Sequence, residues 1–151
     1  RQTAEYPRFL TNPILSVGHD IPLPKGKALW QRCAEMRIDS IQITTQGLGL
    51  RVKYRNICQD YSLSLTRPGG EDTYVVSNSG EGLRIAEFPK DAFPDEWNAG
   101  TLFDRFDMYT RTILPNEVWM LKMWFPPLKE PAKQLAFTHF PFDKVEITLL
   151  D

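Results

Sequence analysis

Ile38-Asp39-Ser40-Ile41-Gln42-Ile43-Thr44-Thr45-Gln46-Gly47-Leu48-Gly49-Leu50-Arg51-Val52-Lys53-Tyr54-Arg55 is the stretch that decides the fold. Ile38, Ser40 and Gln42 alternate with Asp39, Ile41 and Ile43, and after a break Leu50, Val52 and Tyr54 alternate with Arg51, Lys53 and Arg55. A period of two is the signature of a strand with one face buried. Between the two runs, Gly47 and Gly49 can supply the backbone freedom of a tight reversal. The segment therefore predicts an antiparallel hairpin.

The same pattern recurs downstream. Tyr61, Leu63 and Leu65 alternate with Ser62, Ser64 and Thr66 ahead of the turn Pro68-Gly69-Gly70. Tyr74–Val76 and Leu83–Ile85 flank the turn Asn78-Ser79-Gly80. Further strands are predicted at Phe103–Ile113, Val118–Phe125, Gln134–Phe140 and Lys144–Leu150. Short strands separated by turn signals point to an antiparallel β-sandwich or barrel-like sheet, with one or two short helices, rather than βαβ units. One helix is predicted upstream over Lys27–Met36, where Leu29, Cys33 and Met36 follow spacings of four and three. A helical turn is predicted within 89–100, with Pro94 in its first turn and Gly100 as its stop. Residues 1–26, with Pro7, Pro13, Pro22 and Pro24, read as an extended proline-rich N-terminal arm of one 151-residue domain.

Composition narrows the function. The 18 basic and 19 acidic side chains leave a net charge of −1, no general field for a polyanion, so nucleic acid is not an expected partner. The apolar runs, such as Val118-Trp119-Met120-Leu121, fall far short of the roughly 20 residues a spanning helix requires. Two cysteines, Cys33 and Cys58, enclose 24 residues, and a disulfide between them would stabilise the fold by about 3 kcal/mol. That bond, with the polar start Arg1-Gln2-Thr3-Ala4-Glu5, predicts an exported protein of the periplasm or extracellular space, including a lipoprotein whose removed N-terminal anchor would be its one link to a membrane. Two buried free thiols are the alternative for the cysteines, and a cut at a domain edge is the alternative for the start.

Catalytic patterns are missing from the sequence. The serines include no Gly-x-Ser-x-Gly, and His19 and His139 are far apart and not at ligand spacing to either cysteine. Gly47-Leu48-Gly49 lacks the third glycine and following helix of a dinucleotide site. Asp104 and Asp107 fall on opposite faces of a strand, and Asp91, Asp95 and Glu96 match no calcium-loop register. Neither a catalytic centre nor a cofactor or metal is expected.

Charge is nonetheless uneven along the chain. Residues 1–70 hold ten basic and five acidic side chains, whereas 71–107 hold three basic and nine acidic. Within the acidic part, Glu87-Phe88-Pro89-Lys90-Asp91-Ala92-Phe93-Pro94-Asp95-Glu96-Trp97 interleaves carboxylates with aromatic rings. Asp91, Phe93, Asp95, Glu96 and Trp97 are the candidate partner-binding residues, aromatic anchors rimmed by charge. The competing reading turns the rings inward to cap the sheet and leaves the acids in water. Val118–Phe125 poses a similar choice: Trp119, Leu121, Met123 and Phe125 share one face, Met120, Lys122 and Trp124 the other, and the strand is either central with both faces covered or lies beside an exposed patch where Trp124 would be a recognition anchor.

In organisation alone, a β-rich domain with one cysteine pair, an acidic aromatic loop and no catalytic constellation resembles bacterial envelope binding proteins and periplasmic immunity proteins that neutralise secreted toxins. The resemblance implies a non-enzymatic immunity or inhibitor protein whose partner is a toxin or effector enzyme. An envelope or pilus-like assembly subunit, docking through a strand edge or the N-terminal arm, is the alternative. A carbohydrate-acting enzyme with two converging carboxylates is a third.

Overall fold

In a computed structural model, described over residues 4–11, 34–57, 62–69, 71–100, 110–140, 142 and 144–150, the chain is mainly β. The strands are β1 (Ala4–Glu5), β2 (Arg8–Thr11), β3 (Ala34–Thr44), β4 (Leu48–Asn56), β5 (Leu63–Thr66), β6 (Thr73–Ser77), β7 (Gly82–Arg84), β8 (Thr110–Ile113), β9 (Val118–Phe125), β10 (Gln134–His139) and β11 (Val145–Leu150). A 3-10 turn at Asp95–Asn98 is the one helical element among the described residues.

The predicted hairpin is β3–β4, in register from Ala34↔Asn56 to Ile43↔Leu48. Its turn is closed by one side chain: the Thr44 hydroxyl donates to Gly47 O at 2.9 Å and accepts from Gln46 N and Gly47 N at 3.1 and 3.0 Å. The simple alternation holds only in part. The ladder shifts between Ile38 and Ser40, a bulge that opposes two residues to one and turns the following residues over. Ile38 and Ile41 consequently both reach the core, while Gln42 faces away from it with its ladder partner Gly49. The described end of the predicted Lys27–Met36 helix is a correction: Ala34, Glu35 and Met36 belong to β3. Their spacing of two continues into Ile38, and pairing with Asn56, Arg55 and Tyr54 satisfies their backbone. Lys27–Cys33 and the Cys33–Cys58 pair lie outside the described residues.

One sheet has the order β1-β3-β4-β9, the second β2-β11-β10-β6-β7, and β5-β8 forms a separate ribbon. Every ladder is antiparallel. Two crossings join the sheets at their edges. Tyr6-Pro7 carries the chain from β1 in the first sheet to β2 in the second, and beyond β7 the Ala86 amide donates to Trp124 O of β9 at 2.8 Å. The chain thereby links the two sheets at both corners, by a continuous connection at β1–β2 and by the Ala86–Trp124 bridge at β7–β9. Residues 4–11 are thus part of both sheets.

The two inner faces share one core. Met36, Leu50, Val52, Leu121, Met123 and Phe125 of the first sheet meet Val75, Leu135, Phe137, Val145 and Ile147 of the second, with Leu65 and Ile113 from the ribbon. Each such side chain contributes about 1.5–3 kcal/mol relative to exposure. Two polar pairs enter this core among the described residues. Tyr54 Oη and His139 Nδ1 share a 2.6 Å hydrogen bond between the sheets, and Asn56 Nδ2 donates to Ile113 O at 2.9 Å. His139 is fully buried, a core histidine.

Candidate functional site

The outer face of the first sheet carries the acidic aromatic segment as a strap. β4 presents Gly49, Arg51, Lys53 and Arg55 outward, with Gln42 beside Gly49 on β3 and Trp124 and Lys122 beside Gly49 and Arg51 on β9. Residues 86–100 lie over the Gly49 end. Two glycines make room for them: a Cβ on Gly47 would fall within the Trp124 indole, and one on Gly49 would stand 3.2 Å from Phe93. Phe93 is the hub of the strap, 5.0 Å from Phe88, 5.5 Å from the stacked Trp97 and 5.8 Å from Trp124 between ring centroids. Such aromatic pairs add about 0.5–1.5 kcal/mol each beyond their burial.

Sheet side chains fasten the strap, two through its backbone and one through the Asn98 side chain. Gln42 Nε2 donates to Ala92 O at 3.0 Å, Arg51 Nη2 to Ala99 O at 2.6 Å, and Lys122 Nζ to Asn98 Oδ1 at 2.8 Å. Lys122 also stands 5.2 Å from the centre of the Phe93 ring, a cation–π contact in a largely dry setting. The bulge in β3 adds Asp39, whose carboxylate lies 3.6 Å from Arg51 Nε and accepts from Ser40 Oγ at 2.9 Å. Gln42 Oε1 is buried without a hydrogen-bond partner, a local cost beneath the strap.

The predicted site residues divide by chemistry. Trp97 is 3% exposed and Phe93 half-buried, so the rings cap the sheet. Asp91, Asp95 and Glu96 are exposed, and their carboxylates make no ion pair or hydrogen bond among the described residues. Asp95 and Glu96 occupy the first turn of the 3-10 segment, and Asp91 sits at the strap's bend at φ 60 next to the Ala92 N to Pro89 O hydrogen bond of 3.1 Å. An aspartate in the left-handed region is uncommon and is tolerated here by a bend packed on its neighbours. The strap thus holds three carboxylates in water on a backbone fixed from below.

Gln42, Arg51, Asn98 and Lys122 were not among the residues singled out from sequence. The outward period-two position of Arg51 and Lys122, opposite one another in the ladder, is the signal that could have pointed to them. Within Val118–Phe125 both faces are covered from Leu121 onward: Leu121, Met123 and Phe125 lie in the core and Lys122 and Trp124 are buried under the strap, whereas Val118, Trp119 and Met120 are half-buried. Among the described residues no three His, Cys, Asp or Glu side chains stand where they could hold a metal ion, and no helix is long and apolar enough to cross a membrane. His19, Asp104 and Asp107 lie outside the described residues. Compared with known proteins, the chain matches no family model, no curated protein and no solved structure.

Proposed function

We propose that the chain is a non-enzymatic extracytoplasmic binding protein, an immunity or inhibitor protein that covers the active site of a toxin or effector enzyme with the acidic rim of its strap. One observation carries this reading: Asp91, Asp95 and Glu96 are exposed, and among the described residues unpaired, on a segment whose rings and backbone are tied to the sheet. A recognition element held in one conformation loses little entropy on binding, and a cluster of like charge steers encounter with a basic cleft. Phe93, half-buried at the centre of the strap, supplies an apolar edge between the acids. The cysteine pair of the sequence supports a site outside the cytoplasm.

The experiment captures the partner from the native secreted or periplasmic fraction on the immobilised chain, then compares binding of the wild type with Asp95→Lys/Glu96→Lys. Slower association and weaker affinity, with the difference shrinking as salt rises, support the reading. Affinity that is the same for both across salt overturns it.

Assembly as an envelope subunit is the second reading, favoured by β2, a sheet edge on which Leu10 is 62% exposed. Because residues 4–11 pair within both sheets, deleting them would remove structure as well as any docking surface. Leu10→Lys is the cleaner test, since it changes the edge and leaves the core alone.

A further inference from the structure

Among the described residues, the strap 86–100 lies over the Gly49 end of the outer face of the first sheet. At the other end, β4 presents Lys53 and Arg55, flanked in the ladder by Arg37 and Glu35 on β3 and by Met120 and Val118 on β9. Arg37 Nε is paired with Glu35 Oε1 at 2.5 Å, whereas Lys53 and Arg55 make no ion pair or hydrogen bond among the described residues. Arg55 and Arg37 are exposed, and Lys53, Met120 and Val118 are half-buried. This end is a shelf with a cationic surface and an apolar floor, next to a step whose exposed rim carries Glu87, Asp91, Asp95 and Glu96 against Lys90.

We propose that this shelf is the docking surface for a second copy of the chain, the strap rim of each copy seating on Lys53 and Arg55 of the other. The argument is charge complementarity within one face. Step and shelf lie along the same strand, Arg51 under the strap and Arg55 on the shelf being separated by four residues, about 13 Å. A two-fold axis parallel to the sheet, perpendicular to β4 and lying above the outer face midway between them sets acids on cations twice and fits each step to the opposite shelf, the self-complementary arrangement of an isologous dimer. The net charge of −1 opposes this contact with no long-range repulsion. An unrelated acidic partner would satisfy the shelf but leave the adjoining rim unmatched, whereas a second copy satisfies both. The proposal uses the same carboxylates as the partner-binding reading without depending on it.

Sedimentation of the full chain over a range of concentrations, at about 0.1 M and about 1 M salt, where the screening length falls from about 10 to about 3 Å, reads the result directly. The wild type is expected to dimerise at the lower salt and to dissociate at the higher. Lys53→Glu/Arg55→Glu and Asp95→Lys/Glu96→Lys are each expected to weaken dimerisation by about tenfold or more, since like charges then face one another twice. An equimolar mixture of the two variants is expected to recover a heterodimer, because each then offers the sign that the other lacks. Where either variant fails to melt cooperatively, Lys53→Gln/Arg55→Gln or Asp95→Asn/Glu96→Gln takes its place, with the same weakening expected. A wild type that stays monomeric throughout, variants that still dimerise, or a mixture that stays monomeric overturns the proposal. The partner-binding reading is separable: Lys53→Glu/Arg55→Glu leaves the strap intact, so it should lose the dimer and keep any captured partner.

Discussion

Tyr54 of one sheet and His139 of the other share a 2.6 Å hydrogen bond at the centre of the sandwich, both side chains fully buried and their rings edge to face at 5.5 Å. Phe142 lies against both rings, so the pair is closed off by an apolar wall. Burial without access to water holds the Tyr54 phenol well above its usual ionisation range.

The consequence for stability has a definite sign. The folded-state value is raised above the unfolded one, near 10, so the contribution is complete below that pH and is lost as pH rises through the folded value. Tyrosinate absorbance should therefore show one phenol that ionises only together with unfolding. In Tyr54→Phe that delayed step should vanish, and urea denaturation near neutral pH should show a loss of about 1–3 kcal/mol from the buried imidazole left without this partner. A delayed step that persists in Tyr54→Phe would assign it to another tyrosine.

Gly47 is required by what lies on it. A methyl group there would enter the Trp124 indole, whose own position is set by Phe93 and by the Ala86 amide on its backbone. Gly47→Ala should cost about 1–3 kcal/mol by overpacking. The near-ultraviolet circular dichroism of the aromatic cluster should change with it, while the far-ultraviolet β signal stays. Gly80→Ala offers a contrast: its Cβ meets open space, and strain at φ 88 is the sole cost, so the aromatic signal should not move.

The hairpin and the sandwich class were legible because alternation and turn glycines are local properties. The bulge at Ile38/Ser40 was not, since a one-residue insertion leaves a run that still looks alternating while reversing which isoleucines face the core. Ala34-Glu35-Met36 was misread because Met36 fits both a helical spacing from Leu29 and Cys33 and a strand spacing to Ile38. The latter is realised through pairing with a strand some twenty residues away. The strap shows the same limit. Its carboxylates could be placed in water from composition, but the inward turn of Phe93 and Trp97 depends on Gly49 and Trp124, partners whose proximity no local pattern reveals.

Arg51 anchors the end of the strap. Its guanidinium donates to Ala99 O at 2.6 Å, lies within 3.5 Å of Glu96 O and is countered by Asp39. Arg51→Ala leaves these carbonyls without their donor and removes the packed stem of the side chain, so residues 95–100 should open locally more often than the core does. Amide exchange should accelerate in that segment and stay slow at Val52 and Met123. Uniform acceleration would mean that strap and core open as one unit.

Trp97 and its neighbours Asp95 and Glu96 separate structure from recognition. Trp97 is 3% exposed and stacked on Phe93, so Trp97→Ala should cost about 3–5 kcal/mol of stability, the range for deleting a buried aromatic. Asp95→Lys/Glu96→Lys changes two exposed side chains with no partner among the described residues, and thermal unfolding should stay within about 0.5 kcal/mol of the wild type. The strap then behaves as an aromatic foundation carrying a replaceable charged rim, and a loss of binding in the charge variant can be assigned to recognition rather than to unfolding. If the charge variant melts as early as Trp97→Ala, the carboxylates are holding the strap in place, and their exposure is no argument for a partner.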